Sequence, residues 1–247
     1  MEQITSSANK RIKEWAKLLT KKERDRTGRF LAEGDHLIQE AMAEGIVEVI
    51  LSDHPQDYAF ETVIEAPLHV IGRLCASSSG AHSVAVCRQA AAKPKKKERI
   101  LILDGVQDPG NLGTLIRTAV SFSFDLIVCS METVDLYNDK VIRSTQGSLF
   151  KIPIVRCDLP DYVQSLQKEG ICVIATTLQE ALPLGKLSVN GPFALILGNE
   201  GNGVSKILQE TSDQRVRIEM DGFESLNVAV AGGILMYELS GKGAVKD

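Results

Sequence analysis

The chain has 247 residues, enough for one large domain or two small ones. Apolar residues make up 44% and charged residues 24%, which excludes a disordered or fibrous chain. The formal net charge of −4 argues against a basic nucleic-acid-binding protein taken whole.

That average hides a segregation of charge. Residues 1–29 carry nine bases against four acids. Within them Ala8, Ile12, Trp15, Ala16 and Leu19 recur at helical spacing, which predicts a helix capped by Ser6 or Ser7. Lys21 to Arg29 reads as a basic turn before Phe30-Leu31-Ala32. A helix over 34–45 ends at Gly45, and short strands are predicted at 47–51, 68–71 and 84–87. Residues 30–87 hold nine acids and one base, Arg73. Residues 1–90 thus read as a small α/β domain. Residues 91–98, with Pro94 and Lys95-Lys96-Lys97, have the composition of a basic linker. It is either a solvated tether or one that also touches phosphates.

Residues 99–247 are more regular. Apolar strand runs at 100–104, 125–129, 152–155, 171–175, 193–197 and 215–218 alternate with helical patterns at 112–122, 159–168, 204–210 and 226–239. Such alternation implies a parallel sheet covered on both faces, with ligands at the C-terminal strand ends. Four segments at those ends stand out: 104–117, 139–148, 197–203 and 218–227. The third is glycine-rich, but Gly198, Gly201 and Gly203 form neither the dinucleotide fingerprint nor a P-loop. Asn111 is a helix cap or a site residue. Arg117 lies on an otherwise apolar helix and needs a partner or a ligand. Ser225 and Asn227 open an almost wholly apolar helix, which is expected to be buried in the core or against another subunit. The five cysteines are scattered, with no Cys/His cluster at metal-ligand spacing, so no metal and no disulfide framework is expected. Without an apolar leader or a run of ~20 apolar residues, the chain is expected to be soluble and cytoplasmic, with no membrane contact.

Four motifs taken together carry more than any one of them. They are Asn111-x-Gly113-x-x-x-Arg117, Arg143-Ser144-x-x-Gly147, Gly198-x-Glu200-Gly201-x-Gly203 and Ser225-Leu226-Asn227-Val228-Ala229-x-Ala231. In this order they resemble the SpoU/TrmH family of RNA 2′-O-ribose methyltransferases, within the SPOUT superfamily. The first ~90 residues, with Arg29-Phe30-Leu31-Ala32-Glu33-Gly34, resemble that family's ribosomal-protein-like substrate-binding domain. The resemblance implies a parallel α/β domain with a C-terminal trefoil knot, a fold that general chain-topology rules do not produce. It further implies S-adenosyl-L-methionine as cofactor and a homodimer formed through the knotted domain. By motif position, Thr176, Gly198, Glu200, Gly201, Ile218, Met220 and Leu226 bind the cofactor. Asn111, Arg117, Glu200, Ser225 and Asn227 form the catalytic constellation. Lys10, Arg11, Lys13, Lys21, Lys22, Arg24, Arg29 and Arg143 are the expected RNA contacts. One departure is Glu219, where the family usually has Pro.

The implied reaction is attack of a ribose 2′-OH on an already electrophilic methyl, so alignment of a weak nucleophile is the main task; it can supply roughly 7–11 kcal/mol. Asn111, Ser225 and Asn227 suit positioning. Arg117, a guanidinium, is a poor base and suits holding a phosphate and a developing alkoxide. Glu200 either holds Arg117 or accepts a proton. The separate first domain favours 23S ribosomal RNA over tRNA. The rivals are a tRNA methyltransferase, a non-catalytic RNA-binding or ribosome assembly factor, and a nucleotide-dependent oxidoreductase, the last disfavoured by the missing fingerprint.

Overall fold

The computed structural model describes residues 2–76, 80–89, 96–222 and 225–241. Contacts divide the chain into two units, Met1–Ala90 with Asp135–Lys151, and Ala91–Val134 with Ile152–Asp247. The basic linker's residues 91–95 lie outside the described residues. Of its last three, Lys97 is not a free tether: its Nζ holds Glu169 at 2.8 Å.

In chain order the first unit contains β1 (Glu2–Gln3), α1 (Lys10–Ala16), α2 (Lys21–Thr27), β2 (Arg29–Glu33), α3 (Asp35–Ala43), β3 (Val47–Ser52), β4 (Val63–Glu65), α4 (Leu68–Ile71) and β5 (Ser83–Arg88). The strands form one sheet in the order β1-β4-β3-β5-β2. The cap of α1 is Asn9, whose side chain accepts from Arg11 N, rather than Ser6 or Ser7. Where a basic turn was expected, α2 forms. Lys21 pairs with Asp25 and Arg26 with Glu23 at helical spacing, and Gly28 ends the helix at φ +65°. The predicted strand at 68–71 is the helix α4. Its Val70 and Ile71 are buried and its first turn is set by Pro67, whose carbonyl accepts from Val70 N at 2.8 Å. A four-residue apolar run carries no period of its own, so the proline decides.

The second unit contains β6 (Arg99–Asp104), α5 (Pro109–Ser121) and β7 (Leu126–Cys129). The chain then contributes α6 (Asp139–Thr145) to the first unit and returns as β8 (Ile154–Arg156), α7 (Leu159–Lys168), β9 (Cys172–Thr176), β10 (Leu182–Pro183), β11 (Phe193–Gly198), α8 (Lys206–Thr211), β12 (Gln214–Arg217) and α9 (Val228–Leu239). All seven strands are parallel, in the order β10-β12-β9-β11-β6-β7-β8. Ile100 to Leu103 and Ala194 to Leu197 are buried, as expected of strands covered on both faces. Burial also pushes the Cys129 thiol up to about 12, so it is a core residue and not a nucleophile. Among the described residues no helix is long and apolar enough to cross a membrane.

The sequence places 139–148 at the strand ends of residues 99–247. Instead the segment Asp135–Lys151 is largely helical and packs on the first unit. Phe30, fully buried, meets Tyr137 and Phe150 at centroid distances of 4.9 and 5.6 Å. Gly147, at φ +87°, passes so close to Glu40 that a Cβ there would lie 2.7 Å from it, and Lys151 pairs with Glu40 at 2.5 Å. Arg24 completes the clamp. Its side chain is only 8% exposed, donating to Leu18 O at 2.8 Å and to Asp135 Oδ2 at 2.5 Å. The expectation that Arg24 contacts RNA is therefore corrected: its charge is consumed inside the fold. Arg143 is partly exposed and paired with Asp139.

Removing one partner of a buried ion pair leaves the other uncompensated, a loss of about 3–5 kcal/mol. Arg24→Ala is expected to lower the stability of the first unit by that amount, while Lys22→Ala, on an exposed position, changes it by under about 0.5 kcal/mol. The chain's single tryptophan, Trp15, lies in this unit, so urea unfolding followed by its fluorescence reads the difference.

Candidate active site

The register of four neighbouring strands assembles the site. Pairing of β11 with β6 sets Gly198 beside Asp104, and pairing of β12 with β9 sets Val216 beside Thr176. The C-terminal ends of β12, β9, β11 and β6 thus open on the same edge of the sheet. There they line a cavity of about 650 Å³ with Thr176, Leu197, Val216, Ile218, Met220 and Leu226 among its walls, and Glu200 and Arg217 as its charged side chains. Its size and its mixture of apolar walls and polar side chains fit a nucleoside-sized ligand.

The turn after β11 is held by Asn199. Its Oδ1 accepts from Gly201 N at 2.9 Å and Asn202 N at 3.1 Å, and its Nδ2 donates to Gly105 O at 2.8 Å. Backbone bonds between Asn199 and Gly203 close the turn. Asp104 Oδ2 accepts from Ser205 N at 2.7 Å. A Cβ on Gly198 would lie 2.0 Å from Gly203 C and 2.1 Å from Val204 N, so only glycine fits where the turn folds back.

Glu200 points out of this turn toward the loop after β6. Its Oε2 accepts from Gln107 N at 3.0 Å; its Oε1 accepts from Asp108 N at 3.0 Å and Asn111 Nδ2 at 3.1 Å. Asn111 Oδ1 in turn accepts from Asn227 Nδ2 at 3.0 Å. Asn227 Oδ1 caps α9, accepting from Ala229 N and Val230 N. Partial burial raises the pKa of Glu200, but the hydrogen bonds from Asn111, Gln107 and Asp108 outweigh it and hold the carboxyl below its ordinary value.

The cap of α5 is Asp108, which accepts from Asn111 N, and the cap of α9 is Asn227. The side chain of Asn111 is thereby free for the site, and Ser225 is not a cap. All seven expected cofactor residues, Thr176, Gly198, Glu200, Gly201, Ile218, Met220 and Leu226, line the cavity, as do Ser225 and Asn227. Glu219 is exposed and does not line it. Phe223 and Glu224 of the fourth segment lie outside the described residues. Arg117 stands apart. It is exposed on α5, and Glu200 is held by backbone N–H groups and Asn111 rather than by Arg117. Sequence reasoning missed Asn199, the two N–H donors at Gln107 and Asp108, and Arg217. The Asp-Pro pair at 108–109, a helix-start signal, points to the second of these donors.

Residues 98–237 match the SpoU rRNA Methylase family, and residues 9–72 match an MRM3-like substrate binding domain. The chain belongs to the SpoU rRNA methylase family. It is 43% identical over 250 residues to RlmP of Bacillus subtilis (strain 168), a 23S rRNA (guanosine(2553)-2′-O)-methyltransferase, covering 98% of this chain and 100% of that one. The AdoMet-bound rRNA methyltransferase from Sinorhizobium meliloti superposes with a TM-score of 0.89 at 30% identity, covering 99% of each chain. The SpoU methyltransferase AviRb from Streptomyces viridochromogenes, in complex with AdoMet, gives 0.83 at 26% identity over 95% of this chain and 98% of that one.

Gly198→Ala is expected to displace the 199–204 turn, lowering the thermal midpoint and abolishing ligand binding in the cavity, as read by calorimetry. A depressed carboxyl pKa stabilises the folded state above the unfolded value, and that stability is lost as pH falls through the folded value. The stability gap between wild type and Glu200→Gln is therefore expected to stay constant from neutral pH downward and to narrow only below about 4.3. Denaturant midpoints measured across pH check this.

Proposed function

We propose that the protein transfers a methyl group from S-adenosyl-L-methionine to a ribose 2′-hydroxyl of RNA, with large-subunit ribosomal RNA as the substrate. The observation that carries this reading is the cavity at the strand ends with the bonded Glu200–Asn111–Asn227 row beside it. The walls fit the cofactor: Leu197, Ile218 and Leu226 suit a purine, and Arg217 and Glu200 suit an amino-acid carboxylate and a cationic sulfur.

When bound, the cofactor supplies a methyl group already activated by its sulfonium. The chain's residues then have to orient the ribose and exclude water. Asn111 and Asn227 have one definite orientation each, and Ser225 offers a hydroxyl beside them at the cavity wall. Glu200 acts by fixing Asn111, because both its oxygens are engaged and its carboxyl stays ionised. Arg117, an exposed guanidinium, holds the neighbouring RNA phosphate and stabilises the alkoxide as it forms.

RNA is gripped by the first unit. Lys10, Lys13 and Lys22 are exposed there, and Arg11, Lys21 and Arg29 form exposed ion pairs that phosphate can displace. The 43% identity to a 23S rRNA methyltransferase over nearly the whole chain favours rRNA over tRNA. Val230, Ile234 and Tyr237 form an exposed apolar stripe on α9, which supports a homodimer through that helix. The insertion of β12 beside β9, followed by the return of α9 to α5 and β11, supports a trefoil knot. The protein works in the cytoplasm, where ribosomal RNA is found.

The test is methyl transfer from labelled cofactor to total RNA prepared from a strain lacking the gene and from its parent. Incorporation into large-subunit rRNA of the deletion strain alone is expected; incorporation only into tRNA, or none despite cofactor binding, overturns the assignment. Arg117→Ala is expected to lower turnover by at least about 100-fold while cofactor Kd stays within about twofold.

A further inference from the structure

The acidic stretch at residues 30–87 takes no part in the site described above. Its fold gathers Asp35, Asp53, His54, Asp57 and His82 at one end of β3 and β5. Ser52 pairs with Ser83 across those strands, and Asp53 N extends the ladder by donating to His82 O at 3.2 Å. Asp53 and His54 leave β3 where His82 leads into β5, so the three are set by a rigid pair of strands. The Nδ1 atoms of His54 and His82 converge on the two oxygens of Asp53, at 2.6 and 2.8 Å. One donor atom from each of the three residues lies within 4.8 Å of the others.

The far side of His54 is also built. Its Nε2 faces Ser83 Oγ at 3.4 Å, Asp35 Oδ1 at 3.7 Å and Asp57 Oδ2 at 3.8 Å. Asp35 is fixed by the Tyr58 hydroxyl at 2.5 Å. Carboxylates behind the second ring nitrogen are what orient an imidazole toward a metal and raise its basicity. Among the described residues, the ion pairs of Asp35, Asp53 and Asp57 are all with histidine.

We propose that Asp53, His54 and His82 bind a divalent transition-metal ion, zinc foremost, with a fourth position open to solvent. Two imidazole nitrogens and a carboxylate oxygen suit zinc, whereas magnesium and calcium prefer oxygen alone. A tetrahedral ion bonded at about 2.0–2.2 Å sets its donors about 3.2–3.6 Å apart. Each imidazole would bind through Nδ1 as its neutral tautomer, with the ring proton on Nε2, and the two Nδ1–Oδ contacts lengthen from 2.6 and 2.8 Å by about 0.4–1.0 Å. His82, with a side chain 58% exposed, has room to move while His54 stays held. The site is remote in chemistry from methyl transfer and stands or falls independently of it.

The test uses the full-length protein stripped with a chelator and titrated with zinc chloride by calorimetry. Expected is saturable uptake of a single zinc per chain, weakened about 100-fold in His82→Ala and in Asp53→Asn, and about 10-fold in Asp57→Asn. His69→Ala, a histidine outside the cluster, retains it. Zinc raises the thermal midpoint of wild type but not of His82→Ala. Circular dichroism confirms that these variants fold, and cobalt(II) in place of zinc gives the visible absorption of a low-coordinate imidazole site. Absence of saturable uptake, or uptake unchanged in both His82→Ala and Asp53→Asn, overturns the proposal and leaves a hydrogen-bonded histidine–aspartate cluster.

Discussion

An ionised carboxylate can only accept hydrogen bonds, and that restriction orders the whole active edge of the sheet. Because Glu200 accepts, Asn111 must present its Nδ2. Its Oδ1 then faces Asn227, which must present Nδ2 in its turn, leaving Asn227 Oδ1 for the N–H groups that open α9. Each amide has its orientation dictated by the one before. The row ends at a helix N-terminus, where the exposed N–H groups and the dipole both favour an acceptor. Three loops distant in sequence are thereby joined by side chains that carry no freedom to rotate.

Such a row needs a scaffold held to a few tenths of an ångström. Two glycines supply it. Gly198 lets the chain fold back on itself after β11, and Gly232 lets α9 lie so close to α5 and β11 that a Cβ would fall 2.4 Å from Leu115 and 2.7 Å from Leu197. In both cases the missing side chain is replaced by neighbouring atoms, which makes the packing dense where positioning matters. Alignment of weak nucleophiles is the kind of catalysis that depends on this rigidity.

The parallel strands were legible because both faces are buried, so their sequences are nearly continuous apolar runs; α7 spans the helical pattern expected at 159–168, with Asp158 as its cap. The residues that line the cavity are reached through motif position, not through any physical rule, since glycines and isoleucines carry no chemical signal. Arg24 was misjudged because charge density along a chain cannot report that one base in a basic run turns inward toward an aspartate over a hundred residues away. The strand expected at 68–71 failed for the opposite reason, since the local apolar pattern was too short to carry a period and Pro67 outweighed it. The Asp53–His54–His82 grouping was invisible because strand pairing, not spacing, brings its members together.

The sharing of Asp135–Lys151 with the first unit bears on how the protein is made. As the chain emerges from the ribosome, β1 to β5 appear first, and N-terminal domains ordinarily complete their folding before the next is synthesised. Here Arg24 lacks its carboxylate and Phe30 its aromatic neighbours until about 45 to 60 more residues have been translated beyond Ala90. By then β6, α5 and β7 have already emerged. The nascent chain must therefore keep an apolar pocket open across that interval, and the two units mature together instead of in sequence.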